Sequence, residues 1–94
     1  MFFNHSFGQK GNDLKQIDSL KQTLTNIKKL DSTYVATTQY TIAEYYRKST
    51  PLTDSAFYYY HKAEKIFKRL NAKYELALTL YGIAVMQKNE KDFV

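Results

Sequence analysis

Leu14, Ile17, Leu20, Leu24, Ile27 and Leu30 follow one another at steps of three, three, four, three and three. That spacing lays one apolar stripe down the side of an α-helix. Lys15, Gln16, Asp18, Lys21, Gln22, Lys28 and Lys29 fill the other sides. The pattern predicts a first helix over 13–30, capped by Asn12 or Asp13. It covers fewer than three heptads, which is short for a coiled coil. Asp31 and Ser32 signal the next start, and a second helix over 32–48 places Val35, Ala36, Gln39, Ile42, Ala43 and Tyr46 on one side. The run from Lys48 to Asp54 is the strongest break, because Pro51 disfavours helix at Thr50 and Thr53 or Asp54 can cap a new one. The third helix is expected over 54–70, with Ala56, Tyr60, Ala63, Phe67 and Leu70 inward and Asn71 as its stop. A fourth over 73–88 would turn Leu76, Ala77, Leu80, Ile83, Ala84 and Gln87 inward, and Lys88 to Asp92 reads as a polar turn. No stretch alternates as a strand does. The expected fold is all-α.

Residues 1–12 read as an irregular start, with Gly8, Gly11 and Asn12 as breakers. Met1 to Gln9 is apolar and ends in small residues, in the manner of a signal remnant. It lacks the charged leading region and the full apolar core of a secretion signal. Residues 13–94 are expected to form a single helical domain.

Small and large residues interlock from Ala56 to Ala84. Ile42-Ala43 recurs as Ile83-Ala84 after 41 residues, with Ala36 matching Ala77 and Tyr40 matching Tyr81. A first unit gives Gln39-x2-Ile42-Ala43-x2-Tyr46 and then Ala56-x3-Tyr60-x2-Ala63. A second gives Leu80-x2-Ile83-Ala84-x2-Gln87 and then Lys91-Asp92-Phe93. These residues resemble the tetratricopeptide (TPR) pattern W-x2-L-G-x2-Y … A-x3-F over roughly residues 34–93. The resemblance implies antiparallel helical hairpins stacked as a short solenoid, with Ala43, Ala84, Ala56 and Ala63 where helices nearly touch and Tyr46 and Tyr60 filling the holes. Gln39 stands in place of the large aromatic residue, Gln87 in place of the tyrosine, and the closing proline is missing. The period is similar to that of the longer variety, of about 40 residues, rather than the usual ~34. The chain also resembles bacterial proteins that carry such arrays ahead of sensor histidine kinases or helix-turn-helix regulators, in which a stretch like Asp18-Ser19-Leu20 precedes the first repeat. That implies a regulatory or sensor role at the N-terminal side of a signalling protein, on either its cytoplasmic or its periplasmic face.

Composition adds limits. Nine Tyr and six Phe without Trp suit half-buried helix faces and contact surfaces. With no cysteine, disulfides and thiolate zinc sites are excluded. The net charge of +5 is spread thinly, with no block of like charges to mark a nucleic-acid tail. No apolar run approaches the ~18 residues of a membrane span.

Candidate chemistry is sparse. His5 and His61 have no metal-ligand companions at helical spacing, and His61 with Glu64 reads as a surface pair. No phosphate-cradling glycine loop is present, and neither an enzymatic site nor a cofactor is expected. What the family resemblance implies is a groove lined by Thr37, Tyr40, Glu44, Arg47 and Lys48 in the first unit and Leu78, Tyr81, Val85, Lys88 and Asn89 in the second. In such a groove Tyr40 and Tyr81 would lie side by side, beside cations that suit a peptide or protein partner. Tyr40 and Glu44 stand where clamps for acidic C-termini carry Lys and Asn, so that specialised activity is not implied. The alternative is a nucleic-acid contact through Lys62, Lys65, Lys68 and Arg69 with Tyr58 and Tyr59, although a solvated face accounts for the same residues. Finally, helix four would lack its own second helix, exposing Leu80, Ile83, Ala84 and Phe93. The expectation is a longer array or self-association through helix four.

Overall fold

The computed structural model describes residues 5–26 and 31–92, with side chains at 12–26 and 31–88. Four helices follow in order: α1 (His5–Asn26), α2 (Ser32–Ser49), α3 (Thr53–Leu70) and α4 (Lys73–Asp92). The described residues include no strand.

The local signals act largely as their chemistry requires. The Asp31 carboxylate accepts the Tyr34 N–H at 3.0 Å and caps α2. Ahead of Pro51, Thr50 is extended, at φ −142 and ψ 161, and both its N–H and its hydroxyl bond to the Tyr46 carbonyl. At the start of α3 the cap position belongs to Leu52, which has no side-chain cap; the Thr53 N–H bonds to the Pro51 carbonyl, and Asp54 enters the first turn, where its charge favours the helix dipole. Asn71 ends α3 in the left-handed region at φ 57, with Asn71 N–H to Lys68 O and Ala72 N–H to Phe67 O closing a Schellman motif.

Two helices are longer than their sequence signals indicate. α1 begins at His5, with Gly8, Gly11 and Asn12 inside it, and α4 runs through the polar residues to Asp92. A helical glycine costs only about 1 kcal/mol relative to alanine, so isolated ones do not end a helix. The expected stripe residues Ile27 and Leu30, and Phe93 at the other end, lie outside the described residues.

Successive helices are antiparallel. Arg69 near the end of α3 reaches Ser32 at the start of α2, whereas Tyr60 meets Arg47 near the α2 terminus. The Ser49 hydroxyl of α2 donates to the Asp13 carboxylate of α1. The α2–α3 hairpin is the tightest pairing; α1 packs on α2, and α4 packs on α3 with a lesser contact to α2. Ala36, Ala43, Ala56 and Ala63 are all fully buried, and their small side chains let α2 and α3 approach closely. Ile17, Ile42, Tyr46, Tyr60, Ile83 and Met86 fill one core cluster, and Phe67 a second with Ala36 and Ala63. Leu14 and Leu70, expected inward, are 46% and 40% exposed.

The largest departure is the rotation of α4. Thr79, Gly82, Ile83 and Met86 are buried, Leu76 is half-buried, and Ala77, Leu80, Ala84 and Gln87 are exposed. A Cβ built on Gly82 would stand 2.6 Å from the Cζ and hydroxyl of Tyr60. Only glycine fits against that ring, so α4 turns its Gly82 side inward, which puts Leu80 and Ala84, each two residues and so about half a turn away, on the outer side. Thr79 tolerates complete burial because its hydroxyl donates to the Glu75 carbonyl at 2.8 Å.

Gly82→Ala should lower stability by up to about 2 kcal/mol. Overpacking a fixed core costs ~1–3 kcal/mol, against which the gained helix propensity returns ~1 kcal/mol. A lower midpoint in chemical denaturation is the expected result, and a higher one would remove the argument. Gln39 is buried and its Oε1 has no hydrogen-bond partner among the described residues, so Gln39→Leu should raise stability by about 1 kcal/mol in the same assay.

Candidate functional site

The residues of the sequence-derived groove divide between the interior and the surface. Arg47 Nε donates to the Tyr60 hydroxyl at 2.8 Å, and that hydroxyl donates to Glu44 Oε2 at 2.6 Å. Arg47 also pairs with Glu44 Oε1 at 2.9 Å, and Lys48 approaches the same oxygen at 3.3 Å. Tyr60 is fully buried, so this cluster satisfies its one donor and one acceptor. Burial and the hydrogen bond to Glu44 push the Tyr60 phenol well above its ordinary range. Burial also acts to raise the Glu44 carboxyl, but the Tyr60 hydrogen bond and the Arg47 charge outweigh it and hold the group below the usual carboxylate value.

Glu44 and Arg47 therefore serve the interior. Tyr40 is half-buried and tilted against Tyr60 at 6.0 Å between ring centroids. Beside it, Tyr40, Thr41, Glu44, Tyr45 and Lys48 line a shallow concavity of about 270 Å³. On α4, Tyr81 is 68% exposed, Lys88 is exposed, Val85 is half-buried, and the side chain of Asn89 is outside those described. Among the described aromatic pairs none joins Tyr40 to Tyr81; Tyr40 takes Tyr60 instead.

Of the repeat positions, Ile42, Ala43, Tyr46, Ala56, Tyr60, Ala63 and Ile83 are buried, whereas Leu80 and Ala84 face outward with Ala77. The exposed side of α4 thus carries Ala77, Leu80, Tyr81 and Ala84 at i, i+3, i+4 and i+7, flanked by exposed Leu78 and Tyr74. Its ends are marked by exposed Lys73 and Lys88.

The outer side of α3 bears an open furrow of about 640 Å³, lined among the described residues by α3 alone. Lys62 lies over the Tyr58 ring at 5.1 Å, and Glu64 binds both His61 at 2.9 Å and Lys68 at 3.3 Å. Much of the basic face is accordingly engaged along its own helix.

One contact escaped the sequence reading altogether. Lys21, assigned by its period to the solvent face of α1, places its ammonium 5.2 Å from the Tyr46 ring centroid and 6.0 Å from that of Tyr59. Those two rings are stacked at 6.0 Å, so one cation ties α1 to α2 and α3. The Tyr46 oxygen favours the charged ammonium and raises its pKa against the effect of burial. The only advance signal was the local density of tyrosine.

No group of three or more His, Cys, Asp or Glu side chains that could hold a metal ion occurs among the described residues. None of the described helices is long and apolar enough to cross a membrane. No family model, curated protein or solved structure matches the sequence.

The cluster gives stability a pH dependence at both ends. Glu44 titrates lower in the fold than in the unfolded chain, so its contribution is present above the ordinary value of 4.5 and is lost as pH falls through the lowered folded value. Tyr60 titrates higher in the fold. Its contribution is complete below the ordinary value of 10.0 and is lost as pH rises from there toward the raised folded value. Glu44→Gln should flatten the acid limb of denaturation midpoint against pH and cost about 1–3 kcal/mol at neutral pH. An unchanged acid limb would assign the dependence to other carboxylates.

Proposed function

We propose that this chain is a protein–protein interaction module that docks its partner on the exposed side of α4. The observation that carries the reading is one helix with two apolar sides, only one of them covered by the described residues. Leu76, Ile83 and Met86 meet the bundle, while Ala77, Leu80, Tyr81 and Ala84 meet water. A helix that is apolar nearly all round ordinarily has neighbours nearly all round, and a contiguous exposed apolar patch marks an association surface.

Support for a TPR-like arrangement comes from the sequence resemblance together with three successive antiparallel helices, α2 to α4, joined by short turns. On this reading the module is the regulatory or sensor part of a longer bacterial signalling protein. Partner engagement at one end of a rigid stack would be passed to whatever adjoins it. The nucleic-acid alternative has weaker support, since Lys62 and Lys68 are already engaged by Tyr58 and Glu64.

An exposed docking side and a core position respond differently to charge. Leu80→Glu should leave the helical circular dichroism and melting temperature close to wild type while cutting binding of the apolar dye ANS by more than half. Ala63→Glu, which buries an unpaired carboxylate, should abolish the cooperative transition. If Leu80→Glu unfolds the chain as Ala63→Glu does, the α4 side is core and the docking reading fails.

A further inference from the structure

We infer that the partner is an amphipathic helix whose apolar stripe is closed at both ends by carboxylates. This rests on the docking reading above and adds to it the partner's chemistry. Lys73 and Lys88, both exposed, lie on the same side of α4 as the apolar stripe and bracket it. Among the described residues that side carries no carboxylate, because Glu75 is half-buried on the side that holds Thr79 and Met86. The fifteen steps from Lys73 to Lys88 span roughly 22 Å at the helical rise of ~1.5 Å per residue. A partner helix of at least four turns, with acidic residues about 22 Å apart, matches both ends at once.

Shape narrows the partner further. Ala77 and Ala84 stand one heptad apart and leave two shallow depressions, with Leu80 and Tyr81 raised between them. Knobs-into-holes packing therefore favours large apolar residues one heptad apart in the partner and small residues between them.

The same charges disfavour a second copy of this chain. Antiparallel self-pairing centred on Leu80 and Tyr81 sets Lys73 against Lys88, and parallel pairing sets each lysine against itself, in chains that already carry +5 each. Like charges across an interface suppress that partner.

The test uses the full chain and two synthetic five-turn helical peptides. Both have the same leucine and alanine stripe; one is closed at each end by glutamates and the other by lysines. Fluorescence anisotropy at low salt should give the acidic peptide at least tenfold tighter binding, with the margin shrinking at high salt. The double variant Lys73→Glu/Lys88→Glu should reverse the preference. Leu80→Glu should remove binding of both peptides, and Ala84→Gln, which adds bulk on the same exposed side, gives an independent check. Equal binding of both peptides to the wild-type chain, lost in Leu80→Glu, would overturn the charge selection and leave the docking reading standing. A wild-type dimer dispersed by Leu80→Glu would replace the partner helix by a second copy and likewise overturn the inference. A monomeric chain that binds neither peptide would overturn both the inference and the docking reading.

Discussion

The hydroxyl of a fully buried tyrosine must find partners, and here that requirement governs the placement of three helices. Tyr60 is fully buried on α3, and its oxygen is held by Glu44 and Arg47 of α2. With the hydroxyl held, the far end of the ring cannot swing aside. It occupies the line along which α4 must pass, and α4 can pass only with Gly82 facing it. The rotation of α4 follows from that close approach. So does the division of its apolar residues into a covered side and an open one.

The same cluster decides which surface is free to bind. Glu44 and Arg47 have polar side chains on the α2 side expected to line a groove, but they satisfy a buried phenol and each other. Such a half-buried ionic cluster adds little net stability over an apolar replacement, whereas losing one member leaves the others unpaired. Its consequence for the rest of the fold is geometric. By consuming the polarity of α2 and turning Leu80, Tyr81 and Ala84 outward, it leaves α4 as the apolar surface presented to water, with a lysine at either end.

The legibility of the sequence followed the range of the forces involved. Short-range signals were readable: the Asp31 cap, the break at Thr50 before Pro51 and the stop at Asn71 all act within a few residues, and the alanines at the α2–α3 contact showed in their helical spacing. α2 and α3 each have a polar outer side, so their inward sides were readable too. α4 was harder, because Leu76 to Met86 is apolar almost all round and periodicity alone cannot say which side is covered. The decisive fact is a ring from another helix meeting Gly82, a contact between residues far apart in the chain. Thr79 and Lys21 were hidden for a related reason. A threonine bonded to its own helix can be fully buried, and a lysine lying over two tyrosines can join helices, despite their polar names.

Because the chain contains no cysteine, the rotation of α4 can be read directly by placing single cysteines along it and measuring their thiol-labelling rates in the folded protein. Cysteines at 77, 80, 81 and 84 should label at rates near those of an unfolded chain, and cysteines at 79, 83 and 86 should be strongly protected. Protection at 80 and 84 with rapid labelling at 79 and 86 would contradict the account. It would mean that the Tyr60–Gly82 contact does not set the orientation of α4.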